Sequence, residues 1–226
     1  MSSNATTILP AILAPTKAAF QKEVKRIEGV FPWIHIDITD QTLVKGKTLP
    51  LVDALAVHVS AKREVHLMVS DPEQYLTDVI DAKVERVIVH VESDGNKDAM
   101  IRAVKSANLE FYLGVLADSI VYPVRPYLKD VDGVVVLAVN AGRQGAPFLP
   151  ASLDKVRLVH AWYPDMPIEV DGGMQPKTVQ EAVKMGASRI AVGSFLKKAK
   201  KIITVVNQLQ ESFDRGIALR DTIQKD

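Results

Sequence analysis

The sequence predicts an α/β protein, a (β/α)8 TIM barrel, on three observations. Eight short runs rich in β-branched residues alternate with segments of helical periodicity. Eight units in 226 residues leave about 28 residues for each strand and helix, a length that suits a parallel βαβ repeat. The apolar runs, VDGVVVLAV at 131–139 above all, suit a sheet covered on both faces. An open doubly wound sheet fits the same alternation, but the count of eight favours the closed barrel.

The strands are expected over 7–13, 33–38, 64–69, 86–91, 110–116, 133–139, 167–170 and 188–192, each followed by a helical pattern. Over 16–28, Phe20, Val24 and Ile27 share one helical face, as do Ile101, Val104 and Ala107 over 94–107. A last helix over 198–224 carries Ile202, Val206, Leu209, Phe213 and Ile217. Asp71-Pro72 reads as a helix N-cap and first turn, Pro176 as a first-turn proline, and Gly186 as the glycine closing a helix. No linker or low-complexity stretch interrupts the alternation, so residues 1–226 are expected to form one domain.

Composition excludes several classes of function. The 28 basic and 27 acidic side chains give a net charge of +1, which argues against a nucleic-acid or other polyanion binder. No apolar run reaches the roughly 18–20 residues of a membrane span. Residues 1–15 lack a basic start and are broken by Pro10 and Pro15, unlike a secretion signal. The absence of cysteine removes disulfides, thiolate metal sites and a thiol nucleophile. The cytoplasm is the expected compartment.

In a (β/α)8 barrel the chemistry gathers at the C-terminal ends of the strands. Polar side chains in otherwise apolar strands occur at those ends: His35 and Asp37 on strand two, His66 on strand three, His90 and Glu92 on strand four, Asp171 after strand seven. His35 and Asp37 are two apart, so they share a face. Burying such groups is costly unless each has a partner. A divalent metal held by His35, Asp37, His66 and Asp171 supplies one common explanation. That mixed nitrogen and oxygen set suits zinc, iron, manganese or cobalt. His58 and His160 fall in helical segments and are read as surface or packing residues. Glycine turns at Gly142–Gly145 (with Arg143 and Gln144 between them), Gly172-Gly173 and Gly193-Ser194 form a second group. Two of them follow strands seven and eight, where barrels of this kind often hold phosphate on backbone N–H groups.

At these residues the chain resembles the ribulose-phosphate 3-epimerase family. The resemblance runs from Ile8 to about Lys198 and rests on several strings taken together. They are ILPAIL at 8–13, His35-Ile36-Asp37-Ile38-Thr39-Asp40, Val65-His66-Leu67-Met68-Val69, His90-Val91-Glu92, Val139-Asn140-Ala141-Gly142, Val170-Asp171-Gly172-Gly173 and Val192-Gly193-Ser194. It implies a metal-dependent epimerase that inverts C3 of a ketose phosphate. Ribulose 5-phosphate is the first candidate substrate and allulose 6-phosphate the second. The family's metal ligands fall on His35, Asp37, His66 and Asp171. Its acid/base pair falls on Asp37 and Asp171, its apolar cover on Met68, and its phosphate loops on the three glycine turns. Two carboxylates on opposite faces of a carbon next to a carbonyl can remove and return a proton without either moving, through an enediolate. The resemblance also implies a homo-oligomer.

The chain departs from the family's usual pattern around the substrate. Ala11 and Ala14 stand where serines are usual, Thr39-Asp40-Gln41 replaces methionine-aspartate-glycine, and Leu137-Ala138 replaces methionine-threonine. Two other readings compete with an epimerase. A related sugar-phosphate decarboxylase or aldolase would carry a lysine on strand three, where this chain has His66-Leu67-Met68-Val69-Ser70-Asp71. A non-catalytic phosphosugar-binding protein would not need the retained histidines and aspartates.

Overall fold

The computed structural model describes residues 8–142 and 145–223. Eight parallel strands close in sequence order: β1 (Ile8–Ile12), β2 (Trp33–Thr39), β3 (Lys62–Met68), β4 (Arg86–His90), β5 (Glu110–Val115), β6 (Gly133–Leu137), β7 (Ile168–Asp171) and β8 (Arg189–Val192). β8 pairs with β1 through Ile8, Leu9 and Pro10, so the sheet is the (β/α)8 barrel and not the open alternative. Closure leaves no unpaired edge.

Outside the strands lie α1 (Lys17–Ile27), α2 (Leu51–Leu55), α3 (Glu73–Asp81), α4 (Lys97–Ser106), α5 (Ser152–Trp162), α6 (Pro176–Lys184), α7 (Ser194–Lys197) and α8 (Ile202–Ile223). The helical periodicity has its expected outcome. α1 buries Phe20, Val24 and Ile27, and its N-cap Thr16 accepts a hydrogen bond from the Ala19 N–H. Pro176 opens α6, and Gly186 takes a φ of +117° just past its end.

Some expectations are corrected. The segment after β5 is a six-residue 3₁₀ helix, Tyr122–Tyr127, and Pro126 inside it lacks the N–H that an α-helix would use there. α3 starts one residue later than expected, with Pro72 at its cap position. Asp71 accepts from the Gln74 side chain instead of capping. The last helix, α8, begins at Ile202, four residues later than expected, and the short α7 precedes it. His58 sits exposed in the turn after α2, whereas His160 lies half-buried in α5. Position 7 of the first expected strand and position 224 of the last expected helix lie outside the described residues, as do Arg143 and Gln144. Among the described residues no helix is long and apolar enough to cross a membrane.

Period-two alternation decides what faces the barrel axis. On β2, Ile34, Ile36 and Ile38 join the apolar layer under the helices. His35 and Asp37 point the other way, and His35 reaches Glu169 of β7 across the interior. On β3 and β4 the same alternation sends Glu64, His66, Arg86 and His90 inward, while Val65, Leu67, Val87 and Val89 pack outward. A separate apolar cluster of Ile88, Tyr112 and Val135 fills part of the interior.

Candidate active site and metal centre

β2, β3 and β7 bring His35, Asp37, His66 and Asp171 together at the axis. Each offers one donor atom, and the four atoms lie within 4.8 Å of one another. His35 Nε2 is 3.2 Å from Asp37 Oδ1 and 3.0 Å from His66 Nδ1. His66 Nδ1 is 3.4 Å from Asp37 Oδ1 and 3.6 Å from Asp171 Oδ2, and His35 Nε2 is 4.0 Å from that same oxygen. Both imidazoles are fully buried, and the two aspartates are nearly so.

These residues fit a divalent cation. A tetrahedral ion with bonds of about 2.0–2.2 Å spaces its donors about 3.4 Å apart, close to the separations found. His35 Nδ1 is already committed, at 2.6 Å to Glu64 Oε1 and 3.0 Å to Glu169 Oε1, so Nε2 is the atom turned to the centre. Two ring nitrogens facing each other between two carboxylates form a donor set that a cation would satisfy. The set contains no thiolate and suits zinc, iron, manganese and cobalt alike.

The electrostatics point the same way. Burial would raise Asp37, but the positive charge and hydrogen bond of His35, with His66, hold it well below the usual carboxylate range. Burial and then the charge of Asp37 push Asp171 up to about 8. Burial would lower His35, yet Asp37, Glu169 and Glu64 outweigh it and raise the ring well above its ordinary value. Burial takes His66 down to about 4, against a hydrogen bond to Asp37 and with the charge of His35 adding to the fall. Without a cation, both shifts favour the protonated forms of His35 and Asp171.

Beneath the centre, at the N-terminal end of the barrel, lies a layer of four further charged residues. Glu64 accepts from Arg86 Nη1 at 2.5 Å and Arg189 Nη2 at 3.3 Å, and Glu169 accepts from Arg189 Nε at 3.1 Å. The sequence reading did not single out these residues. A signal existed: each glutamate sits two residues before a proposed ligand on the same strand, Glu64 before His66 and Glu169 before Asp171, and so shares its face.

Above the centre a cavity opens at the C-terminal face. Asp37, Met68 and Asp171 line it together with Gly142, Gly145, Gly172, Gly173, Gly193 and Ser194, so all the described glycine-turn residues of the sequence reading border one space. Ala11, Leu13, Leu137 and Val139 supply apolar wall. Two of the turns need glycine. Gly172 has a φ of +100°, and a Cβ on it would stand 2.5 Å from Val139 Cγ2. A Cβ on Gly142 would collide with the Lys45 carbonyl oxygen at 1.2 Å, so the loops after β2 and β6 meet at bare backbone.

The comparisons with known proteins agree with one another. The sequence profile of the Ribulose-phosphate 3 epimerase family matches residues 7–197. A ribulose-phosphate 3-epimerase of Schizosaccharomyces pombe is 29% identical over 211 residues, covering 91% of this chain and 92% of the relative. The cytoplasmic isoform of ribulose-phosphate 3-epimerase of Oryza sativa subsp. japonica is 30% identical over 217 residues, covering 93% of this chain and 95% of the relative. Among solved structures, 3-hexulose-6-phosphate synthase from Salmonella typhimurium superposes with a TM-score of 0.68 at 16% identity, covering 93% of this chain and all of that one. At that identity the likeness concerns the fold alone.

Proposed function

The chain belongs to the ribulose-phosphate 3-epimerase family, a family of sugar-phosphate isomerases, and from that premise we propose that it inverts C3 of ribulose 5-phosphate to give xylulose 5-phosphate. The observation that carries the reading is the convergence of His35, Asp37, His66 and Asp171 under a glycine-lined cavity. A bound divalent cation held by those four residues would act as a Lewis acid on the negative charge that develops on the substrate oxygens.

The chain's own residues do the rest. Asp37 and Asp171 both border the cavity. Epimerisation needs one carboxylate able to take the C3 proton and one carboxyl able to return a proton to the opposite face. Asp37 on β2 and Asp171 on β7 reach the cavity from two different strands, which suits that division. The reverse reaction exchanges the roles. Backbone N–H groups at Gly172-Gly173 and Gly193-Ser194 would take the phosphate, with Gly142 and Gly145 bordering the same cavity. Met68 would cover the flat enediolate with apolar surface. The relative from Oryza sativa subsp. japonica is a cytoplasmic isoform, which supports a free cytoplasmic metabolite as substrate. We assign the assembly as a homo-oligomer of one-domain chains.

The test is C3 exchange in heavy water. Chelated protein, reloaded in turn with zinc, iron, manganese and cobalt, is expected to place deuterium at C3 of ribulose 5-phosphate and to form xylulose 5-phosphate. No exchange with any metal would reject this substrate, and exchange with allulose 6-phosphate alone would move the assignment to the longer sugar.

A further inference from the structure

His90 and Glu92 take no part in the mechanism above, yet both are built into the wall beside it. His90 ends β4 with its ring fully buried. Its Nε2 lies 2.8 Å from His66 Nε2, and the two ring planes are 14° apart, a geometry for one N–H···N hydrogen bond. On its other side, His90 Nδ1 faces Glu92 Oε2 at 3.3 Å. The second oxygen of Glu92 accepts the Leu116 backbone N–H at 2.9 Å, which ties the carboxylate to the end of β5. The neighbour of His90 across the sheet is Gly114, and a Cβ there would stand 3.1 Å from three atoms of the His90 ring. The strand gives that ring its room.

We infer that His90 and Glu92 are positioning residues: they hold His66 in the tautomer that leaves its Nδ1 free to bind a divalent cation. The direction of each hydrogen bond follows from the far end inward. A carboxylate only accepts, so Glu92 requires a proton on His90 Nδ1. A neutral His90 protonated there has a bare Nε2, which accepts from His66 Nε2–H. His66 then presents a lone pair at Nδ1, the atom that faces Asp37 and Asp171. The opposite polarity would set the bare Nδ1 of His90 against a carboxylate and put the proton of His66 where the cation belongs. His35 reaches the same state directly, through Nδ1 to Glu64 and Glu169. Each imidazole of the centre therefore has its outer N–H directed to a carboxylate, one at first hand and one through a second ring, an arrangement that fixes ring orientation and raises ligand basicity.

The inference rests on the proposed metal centre, and the experiment separates the two. Nitrogen-15 NMR of the histidine rings, in metal-free and zinc-loaded protein, reads the tautomers. We expect the Nδ1–H form for His90 and the Nε2–H form for His66. An Nε2–H form of His90 would overturn the inference even in a protein that binds zinc, whereas the expected tautomers in a protein that binds no metal would reject the metal centre alone. In His90→Phe, which keeps a flat ring, and in Glu92→Gln, zinc affinity by competition with a chelator is expected to fall by about 10- to 100-fold, with a shifted visible spectrum for bound cobalt. Unchanged affinity and spectrum in a folded variant would also overturn it. If His90→Phe does not fold, the wild-type tautomers still decide.

Discussion

The two ends of the barrel interior are built from similar charged groups and solve opposite problems. At the N-terminal end, Glu64 and Glu169 lie among Arg86 and Arg189, and charge is balanced by side chains alone. At the C-terminal end, Asp37 and Asp171 lie among two imidazoles, and balance requires either protons or a cation. Burying charge is tolerable only when it is matched. The lower layer is matched by protein and is therefore structural. The upper layer is left for something exchangeable, which is what a reacting centre needs. His35 joins the layers, since one ring nitrogen faces each.

The largest expected effect breaks the upper layer. Asp171→Asn or Asp37→Asn removes one of the two proton-carrying groups and one donor atom, and kcat for the proposed epimerisation should fall at least 10²- to 10⁴-fold, the usual range for a positioned acid or base. Retention of near wild-type turnover by either variant would sink the two-carboxylate mechanism. The fold should survive, because Asn keeps the side-chain shape.

Breaking the lower layer should act on stability instead. Arg86→Leu leaves Glu64 with Arg189, at 3.3 Å, and the His35 ring, and removes a cation packed 4.0 Å from the Tyr112 ring centre. Removing one partner of a buried ion pair costs about 3–5 kcal/mol, readable as a fall in the urea midpoint at unchanged slope. A loss below about 1 kcal/mol would show that the layer is solvated and that its contrast with the upper one is false.

Proton linkage sharpens the comparison. Asp171 is raised to about 8, so the native metal-free protein keeps a proton that the unfolded chain has lost, and its contribution to stability falls as pH rises towards 8. His35, also raised, acts in the same direction above its ordinary 6.5. His66, lowered to about 4 from 6.5, acts in the opposite direction, but only below 6.5. Metal-free protein should therefore lose thermal stability between pH 6.5 and about 8. A bound cation, which replaces those protons, should flatten that slope and release protons on binding, seen as a buffer-dependent heat in calorimetry. Equal slopes with and without metal would mean that the cation binds elsewhere.

How far this was legible in the sequence differs between the layers. His35-x-Asp37 on one strand, with His66 and Asp171 at other strand ends, stood out because polar residues interrupt apolar runs just where a barrel places its chemistry. The glycine turns stood out for the same reason of position. The lower layer was harder to see because Arg86 and Arg189 begin their strands, where a charged residue ordinarily marks an exposed entry. Only closure of the barrel carries Arg189 to Glu64, 125 positions away in sequence. The 3₁₀ segment after β5 breaks an otherwise uniform alternation, and Pro126 is the residue in the sequence that signals it. The polarity of the His66–His90–Glu92 chain needs distances, since spacing alone puts two histidines on adjacent strands without saying which nitrogens meet.

The smallest expected effect marks where the lower layer ends. Glu110 also accepts from Arg86, at 2.8 Å from Nε and 2.5 Å from Nη2, so by distance it looks equal to Glu64. Its side chain is 47% exposed, whereas that of Glu64 is fully buried. Water screens the outer pair and solvates whichever group is left, so Glu110→Gln should cost less than about 1 kcal/mol, and that cost should shrink further in high salt. Arg86 keeps Glu64 and its place over the Trp33 and Tyr112 rings in that variant. A urea midpoint for Glu110→Gln as low as that for Arg86→Leu would show that bond length, not burial, sets the worth of these pairs, and the lower layer would then extend to the barrel's outer rim.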